Sequence, residues 1–143
     1  MGLFGLFKRV PSIVDPVFGE MRYNGGFATG NVRSPQVGRQ VEVLVHCGPT
    51  GPSPAQHDFF AGILVAYADH SAKCEKAILH EFRNFREDFT IASFDREFEL
   101  VCVVIPARPE EEWELAFTTE HDPNHHFTVI FRGDTVQHVQ IDG

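Results

Sequence analysis

The chain has 143 residues, 43% hydrophobic and 22% charged, which is the make-up of one soluble globular domain long enough to bury a sizeable core. That excludes a disordered chain, a collagen-like fibre and a disulfide scaffold. Twenty acidic residues against twelve basic give a net charge of −8, so the chain is a poor general binder of phosphate backbones and suits a basic partner.

The chain opens on Met1-Gly2-Leu3-Phe4-Gly5-Leu6-Phe7-Lys8-Arg9. Its charges follow a short apolar stretch, which is the wrong order and length for a signal peptide or a membrane span. Position 6 is Leu6 rather than Ser or Thr, so the myristoylation motif fails. Residues 1–14 are expected to be an N-terminal amphipathic or frayed segment, and 15–143 a single domain. Phe18 to Tyr23 and Phe27 to Arg33 read as a hairpin across Asn24-Gly25-Gly26, whose glycines supply positive φ. Arg39 to Cys47 is a third strand, with Val41, Val43 and Val45 alternating with Glu42, Leu44 and His46.

Gly48 to Pro52 is a loop. Ser53-Pro54-Ala55-Gln56 then starts a helix: Ser53 as N-cap, Pro54 at N1 and Gln56 reaching back from N3. Phe60, Ile63, Leu64 and Tyr67 share one face. Ser71 either caps a second helix or lies where the first continues with a kink. Cys74, Ala77, Ile78, Phe82 and Phe85 carry the apolar stripe onward. From Phe94 the period returns to two, with Phe98, Leu100, Cys102 and Val104 on one side of a strand ending at Pro106. Glu112 to Thr119 is the next strand, with Trp113, Leu115 and Phe117 facing one way. Phe127 to Arg132 and Thr135 to Ile141 form a last hairpin. Strands in runs around one helical block predict an α+β fold. The expected architecture is an antiparallel sheet of about six to seven strands, with one long helix or two consecutive helices (about 53–88) on one face.

Three cysteines at long spacings, Cys47, Cys74 and Cys102, predict free thiols in a reducing, cytoplasmic setting. Phosphate cradles and the Gly-x-Ser-x-Gly elbow are absent from the sequence. The densest polar cluster runs from Glu120 to His126. His121, Asp122, His125 and His126 are metal-ligand types and give one reading, a metal-binding domain or metal-dependent enzyme. Pro123 and the flanking strands argue against the helix that would bring His121 and His125 together, so a polar turn is the plainer reading. No cofactor is expected.

Charge is unevenly spread. Residues 1–40 hold five basic and two acidic side chains, while residues 97–122 hold eight acidic residues against Arg108. The run Glu110, Glu111, Glu112, Trp113 and Glu114 reads either as a solvated edge that blocks aggregation or as an acidic docking face. On the second reading carboxylates steer a basic partner and Trp113 anchors it, unless Trp113 lies in the core with Leu115 and Phe117. A third reading is self-association through a sheet edge.

Asp15-Pro16-Val17-Phe18-Gly19-Glu20, Asn24-Gly25-Gly26-Phe27, Pro52-Ser53-Pro54-Ala55-Gln56, Trp113, Asp122-Pro123-Asn124-His125-His126-Phe127 and Phe131-Arg132-Gly133-Asp134-Thr135-Val136 together resemble a loose group of small bacterial domains. Members are often encoded beside toxins as immunity-type proteins. The group has no agreed catalytic residues, so none carries over. The resemblance implies a non-catalytic protein whose partner is a basic toxin domain, with no nucleic acid and no membrane.

Overall fold

In a computed structural model, which describes residues 11–143, the chain is α+β: one eight-stranded sheet with three helices packed against it. The sheet runs β1 (Ser12–Asp15), β2 (Gly19–Tyr23), β3 (Phe27–Ser34), β4 (Arg39–His46), β5 (Phe98–Ile105), β6 (Trp113–Thr119), β7 (His126–Arg132) and β8 (Thr135–Asp142), in sequence order. Between β4 and β5 come α1 (Pro54–Val65), α2 (Tyr67–Arg83) and the short α3 (Phe94–Glu97). The strand count therefore exceeds the six to seven expected. The extra strand is β1, which the sequence reading had folded into the 1–14 segment. Residues 1–10 of that segment lie outside the described residues.

All neighbouring strands are antiparallel except β4 and β5, which run parallel over Glu42–Val45 and Cys102–Ile105. A parallel pair needs a long crossover, and the helical block supplies it. The sheet is thus two four-stranded meanders joined by one parallel pair, rather than wholly antiparallel.

Alternation decides which face each strand buries. Val41, Val43 and Val45 of β4, Trp113, Leu115 and Phe117 of β6, and Phe127, Val129 and Phe131 of β7 all face the helices and are buried. β5 departs from strict alternation. Leu100 pairs with Phe117 and Cys102 with the adjacent Ala116, so Val101 is an extra, bulged residue. The bulge exchanges the faces halfway along the strand. Phe98, Leu100, Val103 and Ile105 are buried, while Cys102 and Val104 turn to the side away from the helices. The expected stripe of Phe98, Leu100, Cys102 and Val104 is therefore broken at its midpoint.

The helix start is as read from the sequence. Gln56 N–H donates to Ser53 Oγ at 3.2 Å, and Ser53 N–H donates to Gln56 Oε1 at 3.0 Å. Gln56 does more than cap. Its buried Nε2 donates to the carbonyls of His46 (2.6 Å) and Pro106 (2.9 Å), at the downstream ends of β4 and β5. One side chain thus ties the helical layer to the parallel pair.

The chain breaks helix at Ala66, not at Ser71, which lies inside α2. α2 ends at Arg83, short of the expected end near 88, so Phe85 leaves the apolar stripe and is 77% exposed. Phe89 replaces it, stacking on Phe82 with ring centroids 4.4 Å apart. Among the described residues no helix is long and apolar enough to cross a membrane.

Candidate functional site

Among the described residues the helices cover one face of the sheet and no element covers the other, the open face, so side chains from many strands meet there. Most are at least partly exposed, while Thr128 and Ile130 of β7 are buried. Strand register lays them out in rows. One row reads Asn31, Glu42, Cys102, Ala116, Thr128 and Gln140. The next reads Thr29, Leu44, Val104, Glu114, Ile130 and His138. With strands about 4.8 Å apart, the six strands of such a row span about 24 Å. That is the scale of the core of a protein contact.

Small residues in the middle of the first row leave a shallow hollow of about 470 Å³. Cys102, Ala116 and Thr128 line it, with the carboxylates of Glu42 and Asp142 and the ring of His126 also on its surface. Glu114 stands in the neighbouring row between Val104 and Ile130. It is half-buried, and desolvation pushes its pKa up. Glu112 and Asp142 push the same way, and His46 and His138 oppose them. No basic side chain lies within 4.0 Å of the Glu114 carboxylate among the described residues.

Cys102 reports the same field. Its thiol is pushed up to about 12, first by burial and then by the carboxylates of Glu42 and Glu114. A thiolate is disfavoured there first by burial and then by the two carboxylates. The carboxylates make the hollow less hostile to a cation than to an anion.

The acidic run splits in space. Glu110, Glu111 and Glu112 sit on the β5–β6 connection, with Glu114 just inside β6. Glu97, Glu99, Glu120 and Asp122 lie at the other end of the same hairpin, some seven residues or about 20 Å away. That far group is largely matched with bases. Glu97 meets His121 at 2.7 Å, Glu99 meets Arg39 at 3.1 Å and Asp122 meets His125 at 2.8 Å. In the near group Glu111 accepts from Arg108 N–H at 2.9 Å. Glu110 and Glu112 are exposed. The eight acids do not form one continuous rim.

Trp113 is 2% exposed, so it belongs to the core and offers nothing to a docking partner. Its ring stacks on Phe131 at 4.4 Å, and its Nε1 donates to the Gly133 carbonyl at 2.9 Å. Its neighbour Glu114 in β6 points to the opposite face, while Glu112 sits on the connection before the strand.

The His/Asp cluster does not converge. His121 turns to Glu97 and packs edge-on against Phe89 at 5.0 Å. His125 pairs with Asp122 within its own turn, and His126 stands on the open sheet face. Among the described residues no three His, Cys, Asp or Glu side chains are arranged to hold a metal ion. The metal-ligand set His121, Asp122, His125 and His126 is therefore not assembled, because the turn at Pro123 aims its members in three directions.

Another acid–base pair joins distant segments. Asp15, buried beside the β1–β2 turn, accepts from Val17 and Phe18 N–H at 2.9 Å and lies 2.8 Å from His57 Nε2 on α1. Burial raises its pKa, but the two backbone donors and His57 outweigh that and hold it low. It staples the turn to the helix.

The sequence reading missed Glu42 and Asp142. Both are visible as polar members of alternating strands, but only the register, with its parallel β4–β5 pair and its bulge, brings them beside Glu114. No known family model matches this chain, and no curated protein or solved structure is significantly similar to it.

Proposed function

We propose that the domain is a non-catalytic binding protein of the immunity type, acting in the cytoplasm. It neutralises a basic partner, such as a nuclease toxin domain, by covering that partner's active site with the open face of its sheet. The observation that carries this reading is the acidic hollow. Glu42 and Asp142 line it, Glu114 stands half-desolvated beside it without a cation among the described residues, and the half-buried Val104 and Leu44 provide apolar surface around them. A lysine or arginine from a partner, placed in the hollow, relieves the repulsion among these carboxylates. The surrounding apolar side chains then exclude water from the pair, which is the arrangement of an interface hot spot. Glu110, Glu111 and Glu112 lie at the margin, where exposed charges act on the rate of encounter more than on residence time.

The test is affinity capture from the native host with the wild-type chain and with a Glu42→Lys/Glu114→Lys variant. The wild type is expected to retain a basic protein, and the variant to lose it by about tenfold or more in affinity. Equal retention by both chains, or recovery of only acidic proteins, removes this face from consideration.

A further inference from the structure

The sheet has a second uncovered feature, away from the acidic hollow. β8 is the last strand, and nothing pairs with its outer edge among the described residues. Exposed edges are ordinarily blunted by shortness, proline or charge. β1, at the opposite edge, is four residues long and follows Pro11. β8 is eight residues long, Thr135 to Asp142, and carries one acidic residue, at its end. A bulge at Gln137 interrupts it once, and His138 to Asp142 then run in regular register.

Above this edge, between β8 and α2, lies a groove of about 750 Å³. Its floor is apolar, with Ala77 and Leu79 from α2 and Val136 and Val139 from β8. Its rim is basic. Lys73, Lys76 and Arg83 line it, and none has a carboxylate within 4.0 Å among the described residues. Lys73 Nζ and Arg83 Nε donate only to backbone carbonyls, those of Asp134 and Phe89. The chain has three lysines in all, and two are here. His80 adds a further base, while Glu81 and Asp134 are the acids nearby. A protein of net charge −8 thus concentrates unpaired positive charge along one apolar groove beside one open strand edge.

From this juxtaposition we propose that β8 and α2 form a docking groove for an extended acidic peptide, which adds a ninth strand to the sheet. Main-chain hydrogen bonds to His138–Asp142 supply register. Only every second side chain of the added strand faces α2; there apolar ones sit on Leu79, Val136 and Val139, and acidic ones meet Lys73, Lys76 and Arg83. Charge decides between the possible occupants. A second copy pairing β8 with β8 brings two sets of the same cations together. The first ten residues of this chain carry Lys8 and Arg9 and no acid, so they too are like-charged with the rim.

The test uses the full chain and a fluorescently labelled ten-residue glutamate–valine peptide, Glu-Thr-Val-Thr-Glu-Thr-Val-Thr-Glu-Thr, whose one face carries both glutamate and valine, followed by anisotropy. Saturable binding is expected, weakened about tenfold or more by Lys73→Glu/Lys76→Glu and by raising salt. A lysine–valine peptide is expected not to bind. The same glutamate–valine peptide N-methylated on every residue loses binding, because neither of its edges can then donate to β8. Hydrogen exchange should slow at the His138–Asp142 amides on adding the unmodified peptide. The double variant changes two exposed positions, and its circular dichroism checks that it folds. No saturable binding overturns the proposal. So do undiminished binding by the folded double variant, equal binding of the lysine–valine peptide, and a concentration-dependent dimer that Gln140→Pro dissolves. Glu42→Lys/Glu114→Lys leaves peptide affinity unchanged, so this proposal and the acidic-hollow reading fail independently.

Discussion

Replacing His70 with leucine should flatten the acid side of the stability curve. His70 lies on α2 at 5% exposure, edge-on to Trp113 at 5.0 Å and to Phe131 at 5.5 Å. Its Nδ1 has no hydrogen-bond partner. Burial pushes its pKa below the ordinary 6.5, so the folded protein holds it neutral where the unfolded chain protonates it. The unfolded state therefore binds the extra proton, and stability falls as pH drops below that value. If the folded imidazole stays neutral, the loss at pH 5.5 is RT ln(1 + 10), or about 1.4 kcal/mol. Leucine removes this term. At pH 8 the two chains should lie within about 1 kcal/mol of each other. The unpartnered nitrogen costs about 1–3 kcal/mol, and losing two edge contacts of about 1 kcal/mol each offsets it. Urea denaturation followed by far-ultraviolet circular dichroism at pH 8, 6.5 and 5.5 reads the difference. The His70→Leu chain should gain on the wild type between pH 8 and pH 5.5, by up to about 1.4 kcal/mol. Parallel curves for the two chains would refute the reasoning.

Gln56→Ala removes the reciprocal cap and both bonds to His46 and Pro106, and should cost about 3 kcal/mol by the same denaturation assay. Asp15→Asn leaves the Val17 and Phe18 amides facing a neutral group and should cost about 2 kcal/mol at neutral pH. Because the folded pKa of Asp15 is depressed, that contribution is present above its ordinary 3.8 and disappears as pH falls through the lower folded value, so wild type and variant converge in acid. Cys74 is fully buried with its thiol pushed far up by desolvation, and should resist a thiol reagent at pH 8 until urea unfolds the chain. Gly30→Ala should destabilise, since a Cβ there would lie 3.2 Å from both Met21 Cγ and the Phe18 carbonyl oxygen, and thermal melting would show it.

Local chemistry made much of this fold legible. The Asn24-Gly25-Gly26 turn, the Ser53 cap and the valine alternation of β4 each depend on neighbours in sequence, and each is found. What escaped depends on pairing. Val101 looks like any other residue of an apolar strand, yet as a bulge it sends Cys102 and Val104 to the open face. The parallel β4–β5 contact follows from where the helical crossover returns the chain, which no local pattern records. Hence the Glu110–Glu114 run was legible as charge, but its division from Glu97, Glu99, Glu120 and Asp122 was not. The hollow shared by Glu42 and Asp142, with Glu114 beside it, could not be read from residues that stand 28 or more positions apart. Trp113 was legible both ways, and alternation with Leu115 and Phe117 is the signal that proved sufficient to place it in the core.

Hydroxyl-radical footprinting of the domain, free and bound to the basic protein captured from its host, tests the central claim most directly. Oxidation of Leu44, His46, Val104 and His138 on the open sheet face should fall sharply in the complex, while Val65 and Phe85 on the helical side stay as reactive as before. Protection of Val65 and Phe85 with an unchanged open face would contradict it.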